Sequence, residues 1–314
     1  MLAPIFAMME DPRVKNGPPS PAWKYTGYAG LDTTLSTLVN FFLSSFENGR
    51  FPLMPEFIAS VGPAVVVSII EMRRSGYQTP VVSAFMFALG YLYQNFGAGL
   101  VLPLWWTGFL LLSDKGTTPL RPAYTRATLV GYFLGFVATS LAMTFYQTPG
   151  LIAAWQFFPA YILIAQALAL ITQLPLAGND SGSSYETLQT IHAFNFAWSA
   201  VTHAYTLLQA FKSASPLDSL MNSYVPDYSS ASVGFVEAAC QVFCKWDLVY
   251  ITATTLFVGL WYLRGAKQRL LGLGSFVLGS LLFGAGAGLS GVWMLREKQV
   301  KESEKVPGAR LKQS

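Results

Sequence analysis

The stretch QVFCKWDLVYITATTLFVGLWYLRG, Gln241–Gly265, decides the fold class. From Leu248 to Leu263 it holds neither a charged residue nor a proline. A helix of this kind satisfies its own backbone polar groups and shows mostly apolar side chains outside, which suits lipid. At its threshold stands Asp247, preceded by Lys245 and Trp246. This carboxylate has two readings. It is a cap or first-turn acid, satisfied locally and complementing the helix dipole, or it is a functional acid. In the second reading, the amphipathic ASVGFVEAACQVFCKW packs against the entrance of a cavity.

The rest of the chain shares this character. Of 314 residues, 53% are hydrophobic and 11% charged, with mean hydropathy +0.41. Soluble domains carry about 25% charged residues, so the deficit indicates an all-α, polytopic transmembrane helix bundle. Apolar segments at roughly 52–72, 79–96, 98–113, 127–147, 150–173, 188–211, 246–264 and 270–295 are each bounded by charge, Pro or Gly. LDTTLSTLVNFFLSSFENG lies in the interface or crosses obliquely. The pair SAFMFALGYLYQNF and GLVLPLWWTGFLLL, separated by GAG, is two short crossings or one broken helix. Seven to nine membrane helices are expected, with eight or nine favoured. The expected organisation is an irregular segment over 1–28, one membrane domain over 29–295 and a disordered polar tail over 296–314.

The head lacks the basic start and sustained apolar run of a signal peptide. The net charge of +4 gathers partly in the C-terminal tail, and nothing suggests nucleic-acid binding. The basic loops and the Asn179 sequon assign one side of the membrane in opposite senses, so no topology follows. Oligomeric state is not legible. Cys240 and Cys244 share a helix face without a CxxC pair, and His192 and His203 lack a third ligand at metal spacing; no metal is expected.

Ionisable residues inside membrane helices are costly and mark functional sites by default. Glu71, closing PAVVVSIIEMRRSG, is either a boundary residue paired with Arg74 or an acid held where water is scarce. Glu56, at about 22 Å from it by helical rise, reads as a first-turn acid. In the 188–211 helix, His192, Asn195, Ser199, His203 and Thr206 form one polar stripe. That stripe bonds neighbouring helices or lines a hydrated or substrate-filled cavity. Aromatics deep in the segments, Trp155, Phe157, Phe158, Phe194, Phe196 and Trp198 among them, pack by default, although aromatic faces also stabilise cations.

Four stretches in order, LDTTLSTLVNFF, EMRRSG, YQNFGAGLVLPLWW and KWDLVYITATTLFVGLWYLRG, resemble fungal integral-membrane terpene cyclases of meroterpenoid biosynthesis, of the ascochlorin, ascofuranone and macrophorin kind. The likeness covers roughly residues 28–265. Its most specific pieces are Glu71-x-x-Arg74, the Gln94…Gly97-x-Gly99…Pro103-Leu104 stretch and Trp246-Asp247. It implies a multi-pass enzyme, of the endoplasmic reticulum membrane and the lyase or isomerase class, that protonates a terminal epoxide or alkene of a farnesylated phenol. Cyclisation then runs through carbocations, without metal or other cofactor. Glu71 and Asp247 are the expected catalytic pair. Asp32, Arg74, Gln94, Asn95, His192, Asn195, Trp198 and His203 are expected to line or support the cavity of a small apolar prenylated aromatic. Two other functions fit the residues: a small-solute or proton-coupled transporter using the His/Asn stripe, and a sterol-isomerase-like enzyme. If the two acids lie far apart, one of them leaves the assignment.

Overall fold

A computed structural model describes residues 24–46, 52–74, 80–112, 120–173, 184–226 and 236–304. The expected irregular start up to residue 23, the Asn179 sequon and the tail beyond 304 lie outside them. With the continuous Pro122–Tyr146 helix taken as one, the described residues form twelve helices, and no strand occurs among them.

Helix α1 spans Ala29–Phe46. Asp32 closes its first turn, accepting from Thr26 N and Oγ1 at 2.8 Å and from Gly27 N at 3.0 Å. Helix α2, Leu53–Arg74, is the centre of the bundle, with almost every residue buried. Helices α3, Pro80–Phe96, and α4, Ala98–Leu112, are separated by Gly97. Its φ of +87° is the left-handed conformation that glycine adopts freely. Helix α5, Pro122–Tyr146, contains a π-helical stretch over Tyr132–Val137. Helices α6, Pro149–Trp155, and α7, Phe158–Gln173, bend by 58° at their junction. Helix α8 spans Ser184–Phe211, α9 Pro216–Tyr224 and α10 Val236–Tyr262. Helices α11, Gly265–Phe283, and α12, Ala285–Glu304, fold back on each other. A Cβ on Gly288 would lie 2.6 Å from Phe276 O, so small residues let these backbones meet.

Leu53–Arg74, Pro122–Tyr146 and Cys240–Tyr262 are long and apolar enough to cross a membrane, and the bent α6–α7 pair would make a fourth span. Among the described residues this is fewer than the seven to nine spans expected. The chain from 80 to 112 divides into helices of 17 and 15 residues, the polar stripe of α8 lowers its apolar character, and α12 ends in charged residues. Helix α12 also runs to Glu304, through residues assigned from sequence to a disordered tail. Its Arg296 and Glu297 are buried, which holds that turn in the bundle. Large apolar side chains cover the outside: Leu111 is 80% exposed and Phe145 77%.

Candidate active site

The buried acids of the bundle fall into three surroundings. The first is ionic. Glu71 Oε1 is 3.1 Å from Arg74 Nε, Arg74 Nη2 is 2.6 Å from Glu297 Oε1, and Arg296 Nη2 is 3.8 Å from Glu71 Oε2. These four side chains tie α2 to α12 and leave at most 3% of their surface in contact with solvent. Arg73 extends the polar end of α2, donating to Gln166 Oε1 at 2.8 Å. Buried charges need this mutual satisfaction, because removing one partner strands the others.

The second is a hydrogen-bonded triad. Glu56, in the first turn of α2, meets His203 Nδ1 at 2.8 Å through Oε1 and accepts from the Tyr224 hydroxyl at 2.7 Å through Oε2. Burial first, and then the adjacent Glu56, push the Tyr224 hydroxyl well above the ordinary phenol range, so it stays a donor. Lys245 Nζ bonds Asn222 O and, at 3.4 Å, Val225 O, so α9 is fastened from α10 as well.

The third surrounds Asp247. Helix α10 begins at Val236, so Asp247 lies well inside the helix and does not cap it. It is 4% exposed, and its Oδ1 accepts from Gly99 N at 2.5 Å. Gly99 belongs to the first turn of α4, whose unpaired N–H groups and dipole favour negative charge. The Gly97-x-Gly99 and Trp246-Asp247 pieces, far apart in sequence, thus meet in space. A Cβ at Gly99 would come within 2.8 Å of Asp247 Oδ1, so glycine is what lets the carboxylate approach.

Asp247 lines a cavity of about 300 Å³ between α1, α2, the α3–α4 turn, the α6–α7 bend and α10. That is the low end of the range for small-molecule sites, about 300–1,000 Å³. Its apolar wall is aromatic. Phe41 and Phe243 meet edge to face at 5.6 Å, Phe42 and Trp155 at 5.0 Å, and Phe158 packs on Trp155 at 5.2 Å. Phe57 and Val61 contribute from α2. The polar lining comes from Thr33, Thr34, Thr37, Tyr93, Gln94, Asn95 and Asp247.

Of the candidate site residues read from sequence, Asp247, Gln94 and Asn95 line this cavity, and of the deep aromatics Trp155 and Phe158 do. Glu71 and Arg74 do not; Glu71 lies ten residues beyond Val61, about 15 Å along α2. Asp32 is occupied by its turn. The α8 stripe faces other helices. Asn195 bonds the Tyr132 hydroxyl, Ser199 donates to Phe283 O at 3.2 Å, and Thr206 donates to Pro52 O at 3.1 Å. His203 belongs to the Glu56 triad, and Trp198 packs on Phe136 and Phe194. His192 is buried, with neither ring nitrogen hydrogen-bonded among the described residues. A stripe buried between helices has the same period as one lining a cavity, so the sequence pattern did not separate the two. The threonines of α1 and Phe243 escaped the sequence reading, although Thr33, Thr37 and Phe41, like Phe243 and Asp247, recur at the i, i+4 spacing of one helix face.

Residues 12–301 match the model of the CtvD domain. The chain belongs to the CtvD-domain family. Two curated relatives are similar to this CtvD-domain chain. The terpene cyclase ascI of Acremonium egyptiacum is 25% identical over 246 residues, 71% of this chain and 63% of the relative. The terpene cyclase janA of Penicillium janthinellum is 28% identical over 280 residues, 83% of this chain and 75% of the relative. The CtvD-domain chain therefore spans under two thirds of the length of the first. No solved structure matches it. The resemblance read from its residues and the family found by comparison agree.

Proposed function

We propose that this chain is a multi-pass membrane enzyme, of the endoplasmic reticulum, that cyclises a farnesylated phenol or its terminal epoxide by protonation, with Asp247 as the proton donor. The observation that carries the reading is a single buried carboxyl on the wall of an aromatic cavity, in a family whose relatives are named terpene cyclases. The exposed apolar side chains around the bundle support membrane embedding. A greasy substrate would then reach the cavity from lipid.

The chemistry follows from the surroundings. The Asp247 carboxyl gives its proton to the epoxide oxygen, and the C–O bond breaks as the nearest alkene attacks the opening carbon. With an alkene start, the proton goes to carbon and the π bond supplies the new C–H bond. Aromatic faces of Phe41, Phe243 and Trp155 stabilise the migrating cation. The largely apolar wall disfavours water and so protects it from premature capture. The conjugate carboxylate is held meanwhile by Gly99 N and the α4 N-terminus. Loss of a proton from the last cation to that carboxylate restores the acid, so the product is an isomer of the substrate.

Glu71 has a different role in this reading. It fixes α2 against α12 and leaves the acid–base chemistry to Asp247. The test is product formation by detergent-extracted protein supplied with a farnesylated phenol and its terminal epoxide. Cyclised product without any membrane gradient supports the enzyme. Absence of product from wild-type protein, together with solute flux in sealed vesicles, would replace it with the transporter.

A further inference from the structure

The α1 face turned to the cavity changes character along its length. Thr33, Thr34 and Thr37 line it toward the helix start, and Phe41 and Phe42 line it further on. Thr33 is exposed at the mouth, whereas Phe41 and Phe42 are buried. Each threonine hydroxyl already donates its hydrogen one turn back: Thr33 to Ala29 O at 2.8 Å, Thr34 to Gly30 O at 3.1 Å and Thr37 to Thr33 O at 3.0 Å. A hydroxyl has one hydrogen and two lone pairs. With the hydrogen committed, each can offer a ligand only an acceptor.

Gln94 supplies the opposite polarity. Its side chain lines the same cavity, and its Nε2 is buried without a hydrogen-bond partner among the described residues. An unpaired buried amide donor is costly unless a ligand brings an acceptor. Asn95 has one of its two amide hydrogens committed to Tyr91 O at 2.8 Å, whereas both of Gln94's are unspent. Among the described lining residues there is no Lys, Arg or His, and the one carboxyl group is that of Asp247. Nothing in that set would neutralise a phosphate or carboxylate head.

We propose that the α1 threonines and Gln94 form a seat for a neutral, hydroxyl-bearing aromatic head, and that this seat selects among prenylated substrates. A ring hydroxyl donates its one hydrogen to one of the threonine oxygens and accepts from Gln94 Nε2. The prenyl chain then runs along Phe41 and Phe42. The inference rests on the proposed function and adds the head-group chemistry and the residues that read it.

The test is binding without turnover, read as quenching of tryptophan fluorescence in detergent-extracted full-length protein. The probes are a resorcinol carrying a long saturated chain, its di-O-methyl ether, and an alkyl diphosphate of the same chain. The resorcinol is expected to bind about tenfold more tightly than the ether, the scale of one or two hydrogen bonds, and the diphosphate not to compete. The paired Thr34→Val and Thr37→Val substitutions, and separately Gln94→Leu, should weaken the resorcinol to the level of the ether. Unchanged ether affinity shows that the variants are folded. Equal affinities in the wild type, an equal loss for ether and resorcinol, or tight diphosphate binding would each overturn the seat while leaving the cyclase reading standing. If neither arene binds, the cyclase reading and the seat fall together.

Discussion

Two buried carboxylates, Glu71 on α2 and Asp247 on α10, sit in opposite physical conditions. At the Arg74 end, Glu71 shares a buried network with Arg74, Arg296 and Glu297. Every charge there has a countercharge, and none of these four residues lines the cavity. Asp247 instead lines the cavity, together with Phe57 and Val61 of the first half of α2. Asp247 has a backbone donor from Gly99 on one oxygen and an aromatic chamber beside it. A carboxylate locked among guanidinium groups holds helices together. A carboxyl against a helix N-terminus, facing a space large enough for a ligand, is placed to exchange a proton with that ligand. The comparison teaches that burial alone does not mark an active acid; what decides is whether the partners are charges or a cavity.

The sharpest way to break the comparison is to remove each acid in turn. Asp247→Asn keeps the shape and removes the transferable proton. Turnover should fall by about 10²–10⁴-fold, the usual worth of a positioned general acid, while the amount of extracted protein holds. Glu71→Gln should act on stability instead. Losing one member of a buried ionic network costs about 3–5 kcal/mol, so thermal denaturation of extracted protein should show a much lower midpoint. Turnover per folded molecule should change little.

Gly99→Ala sharpens the contrast from the backbone side. The added methyl would sit 2.8 Å from Asp247 Oδ1 and 3.0 Å from its Cα. The donor and the acid must separate, and turnover should drop by roughly tenfold, about the 1.4 kcal/mol of one charge-assisted hydrogen bond. The smallest effect belongs to the third acid. Tyr224→Phe deletes one hydrogen bond to Glu56 and should cost about 1–3 kcal/mol. A denaturation midpoint displaced less than in Glu71→Gln, with turnover kept, is the expected outcome; loss of turnover would bring the triad into the chemistry.

These contrasts also show how far the sequence could be read. Apolar length is a local property, so the helical class and the Cys240–Tyr262 span were visible in QVFCKWDLVYITATTLFVGLWYLRG. The number of spans was less visible: the break at GAG was legible, but not whether the helices on either side of Gly97 would be long enough to cross. Asp247 stood out as an acid at an apolar run. Its partner did not, since Gly99 N reaches it across a sequence separation of 148. Glu71 looked equally promising because Arg74 is near in sequence while Arg296 and Glu297 are not. The α8 stripe was visible as a stripe, but whether it faced a cavity depended on where Tyr132, Pro52 and Glu56 sit.

The most direct measurement is cyclised product formed per mole of folded, detergent-extracted protein, for wild type, Asp247→Asn and Glu71→Gln side by side on one farnesylated phenol epoxide. The account predicts at least a hundredfold loss for Asp247→Asn, within the range for a positioned general acid, and near wild-type turnover for folded Glu71→Gln. Near wild-type turnover by Asp247→Asn, or a loss confined to Glu71→Gln, would contradict it.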